Sequence, residues 1–147
     1  MKRFPDWDVR LFAYIEANSA RPFVWGEFDC ALFACNCVRE MTDFDMAAEF
    51  RGKYKSARGA LRLIKPYESL MGLANAMFSV RHGLEKVPWP FAQRGDVVIL
   101  AAPWLDCPAT AGPYGALGIM CDRMALATGL EGLVPVAPST VLGAWRV

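Results

Sequence analysis

The spacing of apolar residues changes near residue 88. Upstream, apolar positions recur every three or four residues, the period of a helix with one buried face. Val9, Phe12 and Ile15 share such a face with Leu11, predicting a helix opened by Pro5-Asp6 and closed near Asn18-Ser19, before Arg21-Pro22. Leu32, Cys35 and Val38 predict a second helix, with Asp29 as its N-cap and an interruption at 42–45. A short helix over 46–51 is expected to end at Gly52. Ser56 is placed to cap 57–65, with Pro66 as its stop, and 69–78 reads as a further helix weakened by Gly72.

Downstream, the runs are short, continuous and β-branched. Pro88-Trp89-Pro90 is a rigid approach, and Gln93-Arg94-Gly95-Asp96 a turn in which Asp96 caps, leading into a buried strand over 97–101. Pro103, Pro108, Gly112, Pro113 and Gly115 mark a long loop. Strands follow at 116–121, 124–127, 133–136 and 144–147, joined by turns at Asp122-Arg123 and between Gly129 and Gly132. Helices first and short strands afterwards predict an α+β fold, a single domain over 1–147 with a small antiparallel sheet.

Composition narrows the function classes. Hydrophobic residues make up 54% of the 147 and charged residues 21%, which excludes disorder as the dominant state. A net charge of +1 gives no general attraction to nucleic acid or anionic membrane. No run approaches the roughly 18–20 apolar residues of a membrane span, and the charged N-terminus lacks the apolar core of a secretion signal. Synthesis in a cytoplasm, with reduced thiols, is the expectation. The cysteines are 30, 35, 37, 107 and 121; this odd, irregular set implies no zinc site, and nothing implies a cofactor. All but Cys30 read as small buried hydrophobes. Five Trp, nine Phe and seven Met exceed what a monomer must hide, so part of the apolar excess is expected to cover a partner.

Cys30 stands apart. It follows Trp25-Gly26 and Asp29 and opens an apolar helix, where the helix field stabilises a thiolate. Two readings stay open: a nucleophile, or a helix-start thiol packed under Trp25. A nucleophile needs a base, and the chain's only histidine, His82, falls in a loop between Arg81 and Gly83. The basic cluster of Arg51, Lys53, Tyr54, Lys55 and Arg58 suits either docking to an acidic surface or a solvated inter-helix turn. Trp25, Trp89, Trp104 and Trp145 read as core and interface anchors.

Trp25-Gly26-x-x-Asp29-Cys30, with Ala31-Leu32-Phe33 after it, resembles the nucleophile segment of the NlpC-like cell-wall peptidases, which are papain-like. Gly95-Asp96 opening the strand Val97-Val98-Ile99-Leu100 resembles that family's next motif, and Ala116-Leu117-Gly118-Ile119-Met120 the strand that carries its base. The resemblance covers about 21–130. It implies a papain-like fold with Cys30 as a vestigial nucleophile, because Ala116 occupies the base position and Ala127 or Thr128 the orienting one. The blocks Arg51-Gly52-Lys53-Tyr54, Ser56-Ala57-Arg58-Gly59-Ala60, Arg94-Gly95-Asp96 and Ala144-Trp145-Arg146-Val147 also resemble a family of phage and prophage tail-module proteins of this length. That resemblance implies a structural virion component at the tail tip or baseplate, partnered by other tail proteins. Two alternatives accompany it: an active peptidase on host peptidoglycan, with Cys30 and His82 or a partner's base, and a cell-wall binding module that does not cut. Trp25, Gly26, Asp29, Arg51, Lys53, Tyr54 and Arg58 are the candidate partner contacts.

Overall fold

The structure is a computed structural model that describes residues 1–102 and 115–147. The loop expected around Pro103 to Pro113, with Trp104 and Cys107, lies outside the described residues. Helix α1 is Trp7–Asn18, α2 Cys30–Thr42, α3 Ala57–Ile64 and α4 Leu70–Ala74, the last continuing as a π-helix over Asn75–Arg81. The strands are β1 Lys86–Val87, β2 Val97–Ala101, β3 Gly115–Cys121, β4 Met124–Gly129, β5 Gly132–Val136 and β6 Val141–Trp145. All their pairings are antiparallel, in the order β1-β6-β2-β3-β4-β5. The chain is therefore α+β, with four α-helices followed by a six-stranded sheet among the described residues.

Side-chain alternation divides the sheet. Val97, Ile99, Leu117, Ile119 and Trp145 join Leu11, Phe28, Phe33, Val38 and Phe78 of the helical layer in the main core. Neighbours of opposite parity, including Val98, Leu100, Met120, Ala127 and Ala144, form a second apolar cluster on the other face. Burial on both faces is why β2 reads as a continuous apolar run rather than an alternating one.

Three expectations are corrected. The buried face of α1 is Leu11 with the partly buried Trp7, Tyr14 and Ile15, whereas Val9 and Phe12 are exposed. A face containing Trp7, Leu11 and Tyr14 follows the same helical period and buries larger aromatic area. Residues 46–51 form successive turns, not a helix; Asp45 caps the Ala47 N–H, and the turns close on short-range bonds such as Phe50 N–H to the Ala47 carbonyl. Helix α3 stops ahead of Pro66 as expected, and a 3-10 turn over Lys65–Tyr67 follows it. The last strand begins earlier and stops at Trp145, because Arg146 and Val147 turn toward Asp96.

Asp96 is fully buried and gathers both chain ends. It accepts from Arg146 Nε at 2.9 Å, Arg3 Nη2 at 3.3 Å, and the N–H groups of Gln93 and Val147 at 2.8 and 3.3 Å. The expected turn cap is present in the Gln93 bond; the two arginines make it a junction as well. No helix among the described residues is long and apolar enough to cross a membrane.

Candidate functional site

Residues 23–30 build the approach to the thiol. Val24 and Phe28 bridge across a tight turn, with reciprocal bonds of 3.0 and 2.8 Å. The Phe23 N–H donates to the Gly129 carbonyl at the end of β4, and the Phe23 ring meets Trp25 edge-on at 4.7 Å. Gly26 lies inside the turn at φ +75°, and a Cβ there would sit 2.0 Å from the Tyr54 carbonyl oxygen. Only glycine permits that backbone approach.

Asp29 locks the turn to helix α2. One carboxylate oxygen accepts from the Leu32 N–H at 3.0 Å, the capping bond that the sequence predicts. The other accepts from the Gly26 N–H at 2.9 Å and the Tyr54 hydroxyl at 2.5 Å. Burial, and then the Asp29 charge, push the Tyr54 phenol far above its ordinary range, so it stays protonated and donates. Asp29 is thereby committed to structure. Tyr54→Phe is expected to cost about 2 kcal/mol, the range for a hydrogen bond to a charged group; urea unfolding measures it.

Cys30 is the first residue of α2 and is buried. On one side it belongs to an apolar cluster with Phe23, Ala102 and Ala116. Ala116, read from sequence as the base position, therefore stands in the thiol's own cluster as a methyl group. On the other side Cys30 lines a partly open cavity of about 270 Å³ between the start of α2, α3, α4 and Leu117 of β3. Its wall is largely apolar, including Met46, Phe50, Ile64, Leu70, Leu73 and Met77. Glu49, Arg62 and Arg81 are its exposed charged members, and Glu49 and Arg81 form an ion pair.

His82 lies elsewhere. It follows the π-helix, packs edge-on against Phe44 at 5.1 Å, and is not part of the cavity wall. Burial lowers its proton affinity, Arg81 adds to this, and Glu49 opposes it. Of the two orienting candidates, Ala127 belongs to the second apolar cluster. Thr128 is fully buried, and its Oγ1 has no hydrogen-bond partner among the described residues.

The basic cluster is split. Arg51 grips Asp45 through two bonds of 2.9 Å and donates to Asn36 at 2.8 Å, so it ties the 45–51 turns to α2. That hydrogen bonding holds the Asp45 carboxyl below its usual range. Tyr54 is also turned inward, onto Asp29. Lys53 and Arg58 remain exposed. Burial raises the Cys35 and Cys37 thiols well above their ordinary range and Cys121 to about 11, so none of these three favours a thiolate near neutral pH. Among the described residues, no three metal-binding side chains stand together.

The cavity wall from α3 and α4 is the part that sequence reasoning missed. Its signal was the amphipathic pattern of α3, with Ala60 and Ile64 inward and Arg58 and Arg62 outward. A family model described as Domain of unknown function (DUF6950) matches residues 2–147. No curated protein and no solved structure matches the chain.

Proposed function

The chain belongs to the DUF6950 family, and we propose that it is a papain-like domain of the NlpC type that has lost hydrolysis and serves as a structural component of a phage tail tip or baseplate. The observation that carries the loss of hydrolysis is the surroundings of Cys30: Ala116 shares its buried cluster, and the only imidazole packs on Phe44. A thiol with an ordinary pKa of about 8.5 is only a few per cent ionised at neutral pH. Raising that fraction through the helix N-terminus still leaves no imidazole to protonate the leaving amine of a peptide, since the chain's one histidine packs on Phe44. Support for the tail role comes from the sequence blocks around Arg51, Arg94 and Ala144. Exposed Trp89, Phe91 and Leu142 are apolar surface of the kind a permanently assembled subunit covers.

Purified protein incubated with peptidoglycan sacculi is expected to release no soluble muropeptides. Cys30→Ala introduced into the phage is expected to leave plaque titre unchanged, with the protein still detected by mass spectrometry in purified virions. Muropeptide release that disappears in Cys30→Ala would establish the active peptidase instead. Sedimentation with intact sacculi without cleavage would establish the cell-wall binding module, and absence from virions would overturn the tail role.

A further inference from the structure

We propose that the cavity beside Cys30 binds a single-chain anionic amphiphile: an aliphatic tail of about ten carbons inside, with a carboxylate at the opening beside Arg62. Volume sets the tail length. An apolar cavity of about 150 Å³ accepts benzene, six carbons; at the same packing, about 270 Å³ accepts about ten.

The wall sets the chemistry of the tail. Phe50, Ile64, Leu70, Leu73 and Met77 present no hydrogen-bonding side chains. The polar groups of Asp29 and Tyr54 are bound to each other, and Asp29 also holds the Gly26 and Leu32 N–H groups. A polar group set against that apolar wall would lose water without gaining a partner from it, whereas an alkyl chain gains by leaving water.

The opening sets the sign of the head. Its charged members are Glu49, Arg62 and Arg81. Glu49 and Arg81 satisfy each other, while the Arg62 side chain makes no hydrogen bond or ion pair among the described residues. From Arg51 to Tyr67 the chain carries six basic residues and no acidic one, and Lys53, Lys55, Arg58, Arg62 and Lys65 are all exposed. In a protein with a net charge of only +1, this concentrates positive potential along α3 and its approach. Helix α3 thus presents Ala60, Leu63 and Ile64 to the cavity and Arg62 to its opening. This binding is independent of any place in a virion.

Calorimetric titration of the full chain with decanoate, decanol and decyltrimethylammonium, all below micelle formation, tests it. Decanoate is expected to bind best and decyltrimethylammonium worst. Arg62→Glu is expected to weaken decanoate about fivefold, the scale of reversing one exposed charge contact, and to leave decanol unchanged. Ala60→Phe, which fills the cavity, is expected to abolish binding of both. Should that variant not fold, Leu63→Ala serves instead, with the best carboxylate lengthening from about ten to about twelve carbons. Equal binding of the anionic and cationic chains, indifference to chain length, or no decanoate binding would overturn the proposal. So would binding only to phosphatidylglycerol vesicles, which would identify a bilayer surface rather than a single chain.

Discussion

Gly26→Ala is expected to destabilise the fold by about 4 kcal/mol and to lower Tm by roughly 12 °C, at about 3 °C per kcal/mol for a domain of this size. Two costs combine. A non-glycine residue forced to φ +75° pays about 1–3 kcal/mol. The added Cβ would also stand 2.0 Å from the Tyr54 carbonyl oxygen, a backbone atom that cannot swing aside, and such overpacking costs another 1–3 kcal/mol. Gly83→Ala separates the two. Its φ is +68°, yet nothing lies within 4 Å of the added atom, so only the conformational cost applies. Denaturant unfolding of both variants measures the difference; equal losses would mean that the contact with Tyr54 is unimportant. Because the same turn delivers Cys30, Gly26→Ala is also expected to increase the alkylation rate of the thiol by loosening its cover.

Asp96→Ala is expected to cost about 3 kcal/mol, near the lower end for removing one partner of a buried charge pair. The change leaves Arg3 and Arg146 without their shared carboxylate and strands the Gln93 and Val147 N–H groups. Both arginines keep some access to water, with side chains 19% and 33% exposed, which holds the loss below the fully buried case. Asp96→Asn preserves size and one carbonyl oxygen, and should recover part of the loss. Asp122→Asn is the control, since it removes the charge from an ion pair with Arg94 that is exposed on both sides, keeps a side chain that tolerates the φ of +47° at that turn, and should leave the unfolding midpoint unchanged. An Asp96→Ala midpoint equal to that of the control would refute the junction. Hydrogen exchange should locate the damage at both chain termini, because both bind this carboxylate.

Asp29 and Asp96 show how far the chain can be read without coordinates. Asp29 was legible as an N-cap, since an Asp before an apolar helical run has a free N–H three residues ahead of it. Cys30 at the helix start, the strand over Val97–Ala101 and the β3–β4–β5 meander were legible for the same reason: each depends on residues adjacent in the chain. Asp96 was legible only as a turn cap, and its arginines, 93 residues before and 50 after it, were not. The two-residue strand β1 was missed, as its pairing with β6 depends on Trp145 and Ala144 across the molecule.

What the amino-acid sequence determined by itself was therefore periodic and local: the longer helices, the strands from β2 onward, the Asp29, Ser56 and Asp96 caps and the placing of a thiol at the head of α2. Tertiary structure alone decided which face of α1 is buried, that Tyr54 belongs to Asp29 and Arg51 to Asp45, that His82 packs away from Cys30, and that α3 and α4 enclose a cavity beside the thiol. The physical reason is range. Helical period and capping involve residues a few positions apart, whereas burial, ion pairing and cavity shape depend on which distant segments the closed core brings into contact.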